Sequence, residues 1–347
     1  MIESLKKIRE MKAYLPPLET REKFDGLRLD FNERLAPLDA NVVMALQNFD
    51  AQRCLTYPSY GALPAKIAEY AGVKEDQVMI TNGSDQGMEL IFRTFVNEGA
   101  EVLIPSPSFA MFYQVAGVEG AKVTKVAYEQ DGAFPFKAIL GRANDAKKPC
   151  LLIVCNPNNP TGTLISVEEI ESILQAMPDT IVYVDEAYFE FSGITATGLV
   201  EKYSNLIITR TFSKAFGLAG LRIGYTISNS KNIDEMLKVR GPYDVNQVAK
   251  VMAEASLNTN PSEYCNEVML KAKPLVEAFF TKSGVEFFKS GSNYIYFKEP
   301  YAGFSQDLRE NGILIRPQAD QFARVTIGTV KQMEKFISIS KNLITKI

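Results

Sequence analysis

Seven short apolar runs, spaced through the middle of the chain, constrain its fold more than any other feature. They are VMIT (78–81), EVLIP (101–105), AKVTKV (121–126), LLIVC (151–155), TIVYVDE (180–186), LIITR (206–210) and IGYTIS (223–228). Several are β-branched and continuously apolar instead of alternating, the pattern of strands covered on both faces. Helical stretches lie between them, such as 85–96 and 166–177, the second opening on Ser166 with Glu169 three residues later, a capping-box signature. The alternation predicts an α/β fold whose large domain carries a mostly parallel, seven-stranded sheet. From about residue 241 the pattern changes to helices at 244–258 and 263–282, then NYIYFK (293–298), ILIRP (313–317), ARVTIG (323–328) and a last helix over 330–345. At 347 residues the chain exceeds the size at which one core stops growing. We therefore expect a large domain over 50–240 and a smaller α+β domain from 27–49 and 241–347. Residues 1–26 fit neither. Ile2, Leu5, Ile8, Met11 and Leu15 form a thin apolar stripe there, read as an arm docked on another subunit.

The chain contains no histidine. That removes Ser-His-Asp and Cys-His nucleophile systems and the H-E-x-x-H zinc site. Cys54, Cys150, Cys155 and Cys265 are scattered, so neither a zinc site nor a disulfide ladder is expected; free thiols in a cytoplasmic protein are. A net charge of −3 shows no basic excess for nucleic acid. No apolar run reaches the roughly 18–20 residues of a membrane span, and the charged N-terminus does not read as a secretory leader. Proton transfer must then use Lys, Tyr, Asp, Glu or a cofactor.

Four segments sit just past strand ends, where open α/β sheets place their sites. NGSDQG (82–87) opens a helix and offers either a phosphate cradle or a plain N-cap by Ser84 or Asp85. CNPNNPTG (155–162) is a rigid polar turn whose composition turn chemistry alone explains, yet its density of amides suggests one aimed at a ligand. VYVDEAYFEF (182–191) ends a strand in Asp185-Glu186 with Tyr188 behind; a solvated strand end, a metal pair and an acid facing a cationic heterocycle all fit. RTFSKAFGLAGLRIGY (210–225) places Lys214 between hydroxyls and a glycine-rich run, with Arg222 beyond. Lys214 could be a surface charge, a phosphate hook or, if partly buried, a nucleophile of lowered pKa. The P-loop pattern fails because Leu199 follows Gly193 and Gly198 where it needs Lys, and no G-x-G-x-x-G follows a strand. Together the four segments supply a phosphate cradle, an amide, an Asp with a Tyr, and a Ser-Lys with an Arg. Those are the parts of a pyridoxal 5′-phosphate site, in which a lysine forms the Schiff base and an aspartate keeps the ring nitrogen protonated.

Over nearly its whole length the chain resembles the class I/II aminotransferases of the fold-type I pyridoxal-phosphate enzymes, and within them the histidinol-phosphate aminotransferase group. NNPTG (158–162), DEAYFEF (185–191), RTFSKAFGLAGLRIGY and ARVTIGT (323–329) carry the resemblance. It implies that Lys214 is the Schiff-base lysine and proton shuttle, that Asp185 pairs with the ring nitrogen, and that Asn159 and Tyr188 meet the ring oxygen. Ser84, Asp85, Thr211, Ser213 and Arg222 would surround the phosphate. Phe109 stands where the family usually stacks a tyrosine. Tyr57 would reach the phosphate of a neighbouring subunit, implying a homodimer with shared active sites. Arg324 would grip the substrate carboxylate, and Tyr14 and Arg316 match positions touching a substrate phosphate.

One loop departs from the family. Where N-E-N-P is usual, this chain reads FNERLAPL (31–38), with Arg34 and Leu35 replacing the Asn-Pro pair. Arg34 is either a surface charge or an extra contact to an anionic substrate. The resemblance implies transamination between glutamate/2-oxoglutarate and a small phosphorylated amine or ketone, with histidinol phosphate as the default and a triose-phosphate-derived compound such as dihydroxyacetone phosphate next. Decarboxylation of a phosphorylated amino acid is the alternative reaction, and a catalytically silent module on the same fold a third reading.

Overall fold

The seven apolar runs do form one sheet, in the computed structural model that describes residues 2–15 and 18–345. Its strands are β1 (Val78–Thr81), β2 (Glu101–Ser106), β3 (Lys122–Ala127), β4 (Leu151–Cys155), β5 (Ile181–Asp185), β6 (Leu206–Thr211) and β7 (Gly224–Ser228). They lie in the order β1-β7-β6-β5-β4-β2-β3, and β7 alone runs antiparallel to its neighbours. Helices α1 (Ala40–Gln47), α2 (Gly83–Phe95), α3 (Ala110–Glu119), α4 (Val167–Ala176) and α5 (Gln247–Leu257) surround it. The continuous apolar strands have the predicted cause. On β4, Leu151, Ile153 and Cys155 pack with Phe92 of α2 and Phe112 of α3 on one face. Leu152 and Val154 pack with Ile170 and Ile173 of α4 on the other. The α4 capping box is present, Ser166 Oγ accepting from the Glu169 N–H at 3.2 Å while Glu169 answers at the Ser166 N–H.

A second core is built on β8 (Tyr294–Lys298), β9 (Arg316–Pro317) and β10 (Phe322–Thr326), ordered β9-β10-β8 and antiparallel. Helices α6 (Lys273–Lys282) and α7 (Val330–Ile344) cover it through Phe280 and Phe336. Two details differ from the sequence reading. ILIRP is not one strand: Ile313–Leu314 pairs in parallel with Leu27–Arg28, while Arg316–Pro317 joins β10. Helices α1 and α5, assigned to the small unit by the 27–49 and 241–347 boundaries, pack Val42, Ala249 and Met252 into the large sheet's core. Their apolar faces have the same periodicity either way, so spacing could not say which core they join.

Among residues 2–15, Ile2, Leu5, Ile8 and Leu15 are exposed, whereas Met11 sits against Gly117 of α3. No described helix is long and apolar enough to cross a membrane.

Candidate active site

The parallel strands β1, β2, β4, β5 and β6 all end at one edge of the sheet, and β7 begins there because it runs the other way. Register places Thr81 and Thr211 both opposite Gly224, and Asp185 opposite both Cys155 and Thr209. Arg222, two residues before β7, is thereby delivered beside the start of α2. A cavity of about 540 Å³ opens at this edge, between the large sheet and the small domain. It is lined by Ser84, Asp85, Phe109, Asn159, Asp185, Tyr188, Thr211, Ser213, Lys214 and Arg222, and by Tyr14, Arg316 and Arg324. Tyr57 lies elsewhere. It is 77% exposed and stacks on Tyr243 at 4.2 Å.

Burial gives the cavity floor its chemistry. Asp185 accepts from the Ala187 N–H at 3.1 Å and from Thr209 at 3.4 Å, and among the described ion pairs it has no cation. Loss of water drives its pKa up to about 7. Glu186, one residue on, is a structural acid. It pairs with buried Arg210 at 2.8 Å and accepts from the Ala196 N–H at 2.7 Å. Lys214 projects into the same space, its Nζ donating to the Phe31 carbonyl at 3.0 Å. Burial first, and the Arg324 charge second, bring its pKa down to about 8, so a usable share of the amine is unprotonated near neutrality. Among the three roles open in the sequence, the surface-charge one is gone.

Tyr188 is sandwiched by donors. Its hydroxyl accepts from Asn32 Nδ2 at 3.0 Å and from Asn159 Nδ2 at 3.5 Å, which leaves its own O–H to donate into the cavity. Burial pushes its pKa up to about 12, so it stays a donor. Of the three amides in CNPNNPTG, two build the turn. Asn156 pairs with both backbone groups of Ile165, at 2.9 and 3.1 Å, and Asn158 holds Ser108, Thr161 and the Pro107 carbonyl. Only Asn159 reaches the cavity, where its oxygen receives Arg324. Arg324 also donates to the Asp30 carbonyl at 2.6 Å, while its buried Nε has no partner among the described residues.

At the other end, Thr211 donates to Ser213 at 2.9 Å and Arg222 Nη1 approaches Ser213 at 3.4 Å. Asp85 pairs with Arg222 Nη2 at 3.0 Å, holding the cation instead of facing an anion itself. Gly83 (φ +74°) lets Arg222 come close: an added Cβ would lie 2.7 Å from Nη2. These hydroxyls, a guanidinium and the first turn of α2 suit a phosphate monoester. A carboxyl without a cation at one end, an anion cradle at the other and a neutral-prone lysine between them fit pyridoxal 5′-phosphate. The ring of Phe109, edge-on to Phe112 at 5.6 Å, supplies an apolar wall. Among the described residues no cluster of three or more acids or cysteines could hold a metal.

Several contributors were not singled out from the sequence. Asn32, in a left-handed conformation (φ 55°), is fixed by Thr326 and Asn293. Arg21 lies over Phe31 at 4.5 Å and clamps Asp30 at 2.9 Å as well as Glu33, which lines the cavity beside Lys214. Tyr14 and Arg316 meet at the mouth, 3.5 Å apart. Arg34 does not line this cavity.

The chain is similar to known proteins over its full length. A histidinol-phosphate aminotransferase of Thermoanaerobacter sp. (strain X514) is 33% identical over 327 residues, covering 91% of this chain and 93% of that one. The structure of a histidinol-phosphate aminotransferase from Sinorhizobium meliloti, solved with pyridoxal-5′-phosphate, superposes with a TM-score of 0.87 at 23% identity, covering 100% of this chain and 98% of that one. The enzyme of the same name from Clostridium acetobutylicum gives 0.84 at 25%, covering 92% and 100%. The model of the family "Aminotransferase class I and II" matches residues 25–339. With that match spanning both larger sheets and every strand end that lines the cavity, the chain belongs to the class I and II aminotransferases.

Proposed function

We propose that this aminotransferase binds pyridoxal 5′-phosphate in the cavity and moves an amino group between glutamate/2-oxoglutarate and a small phosphorylated amine or ketone. Histidinol phosphate and its ketone, imidazole acetol phosphate, are the default pair, with dihydroxyacetone phosphate next. The observation that carries the reading is the division of cations along one cavity. Arg222 serves the cofactor end, Arg324 the wall, and Arg316 with Tyr14 the mouth. Arg324 and Arg316 can thus take the two carboxylates of glutamate or 2-oxoglutarate, and Arg316 with Tyr14 can take the single phosphate of the other substrate in its turn. The relatives at about one-third identity are aminotransferases, which favours transamination over decarboxylation.

When bound, the cofactor supplies an aldehyde that takes up the amino group and a cationic ring that accepts the electron pair left on the substrate carbon. The chain's residues do the rest. Thr211, Ser213, Arg222 and the first turn of α2, at Ser84, hold the phosphate. Asp185 would stand opposite the ring nitrogen and hold the proton there. Tyr188 and Asn159 donate to the ring oxygen. Lys214 Nζ is the attachment point and the base that moves the proton at the substrate carbon. Arg324 offers its guanidinium to a carboxylate from the cavity wall. Phe109 shields one side of the site.

Tyr57 is exposed in one chain, and so are Leu55 and Tyr243 around it. We assign this surface to a second copy, so that Tyr57 completes the partner's phosphate site. Sedimentation as two chains checks that; a monomer at micromolar concentration refutes it. The four cysteines are free thiols, two of them buried, which suits the cytoplasm.

The test of substrate is a panel of phosphorylated amines and ketones, scored by interconversion of the aldehyde and amine forms of the cofactor. Histidinol phosphate with 2-oxoglutarate should turn over best. Carbon dioxide release without a keto acid, or a preference for unphosphorylated amines, would contradict the proposal.

A further inference from the structure

Arg34 stands where the family loop has Asn, yet it is absent from the cavity wall that its neighbours Phe31 and Glu33 help to form. Its side chain runs the other way. Nη1 donates to the Ala215 carbonyl at 2.7 Å and Nε to the Pro37 carbonyl at 3.2 Å. The guanidinium lies over the Tyr264 ring, 4.3 Å from its centre, and the Tyr264 hydroxyl accepts from the Leu35 N–H at 3.2 Å. Gly217 (φ +78°) makes room, since a Cβ there would sit 2.7 Å from Arg34 Cδ. Arg34 and Tyr264 line a separate cavity of about 250 Å³.

Ala215 follows Lys214 directly, and Lys214 Nζ itself donates to the Phe31 carbonyl. Loop 31–37 and the lysine turn therefore hold each other twice, once through the lysine side chain and once through Arg34. We infer that Arg34 is a positioning residue, which fixes the turn 214–217 against loop 31–37 and thereby sets where Lys214 Nζ stands. A planar guanidinium serves two carbonyls and a ring face at once; a lysine supplies a donor without the flat face. The charges that bear most on Nζ are Arg324, Glu33, Asp85 and Arg222, and the Tyr188 ring lies 5.5 Å from it. Arg34 acts through geometry.

The inference rests on Lys214 being the reactive amine, so its test reads Nζ in the cofactor-free protein, where substrate choice plays no part. The rate of Lys214 acylation by trace acetic anhydride, followed by peptide mass spectrometry against pH, gives the midpoint of Nζ. A loosened turn admits water to the ammonium, so Arg34→Ala should raise that midpoint by about one unit toward the ordinary lysine range. Arg34→Lys should recover part of the shift, and it carries the same test at smaller amplitude if Arg34→Ala does not fold. In the holoenzyme, Arg34→Ala should lower kcat by about tenfold or more while KM for the phosphorylated substrate moves less than about twofold. An unchanged midpoint, whatever the melting temperature does, overturns the inference. So does a raised KM at constant kcat, which would make Arg34 a substrate contact. Failure of the functional reading shows separately, as turnover that survives in Lys214→Ala.

Discussion

Asp185 and Glu186 are adjacent in sequence and opposite in duty. Glu186 has Arg210 and is neutralised in place, while Asp185 has two weak donors and no cation among the described ion pairs. An acid whose folded pKa is about 7 against an ordinary 3.8 binds its proton more tightly folded than unfolded. Its favourable contribution is complete below the unfolded pKa and is lost as pH rises through 7. In the cofactor-free protein, Asp185→Asn should therefore gain stability over wild type between pH 4 and 8, by at most about 4 kcal/mol. Chemical denaturation across that range measures it; a difference that does not change with pH would show that Asp185 is not held as a strained acid. The same substitution should weaken cofactor binding, so its sign reverses in the loaded enzyme. The apolar strand drew attention to Asp185 and Glu186 together, and it was the resemblance in DEAYFEF that singled out Asp185. Asn32 could not be picked out, since its partners Tyr188, Asn293 and Thr326 lie more than a hundred positions away and no local pattern announces them.

At the scale of elements, the sheet was legible because burial on both faces demands continuous apolar runs, as in LLIVC, while the edge strand Lys122–Ala127, partly exposed, showed as an alternating one. The two-residue pairing of Leu27–Arg28 with Ile313–Leu314 was not legible, because it joins the two ends of the chain and leaves no periodicity. The turn CNPNNPTG was legible as a polar turn but not in its division of labour. Asn156 satisfies both the N–H and the carbonyl of Ile165 and is itself fully buried. Asn156→Ala strands two backbone groups and should cost about 2–4 kcal/mol, read as a fall in the denaturation midpoint. Asn159→Ala, whose amide faces the cavity, should cost less stability and more turnover. The reverse ranking would refute the separation between the amides that build the turn and the one that serves the site.

For the whole molecule, the site lies between the seven-stranded sheet and the three-stranded one. Arg324 comes from the small sheet and binds Asn159 of the large domain, while Lys214 of the large domain binds the Phe31 carbonyl beside the small one. The order of motifs along the chain pointed to this assembly, because each lies at a strand end and the strand ends converge. What order could not supply is the reach of loop 31–38, which touches Lys214, Tyr188 and Thr326 at once. The central claim is that this convergence makes Lys214 the reactive amine of a pyridoxal-phosphate site, and chemical trapping tests it most directly. The protein is incubated with pyridoxal 5′-phosphate, reduced with borohydride and digested, and the modified peptide is sequenced by mass spectrometry. A single pyridoxyl group on Lys214 is the predicted result. Modification elsewhere with Lys214 untouched would contradict the account.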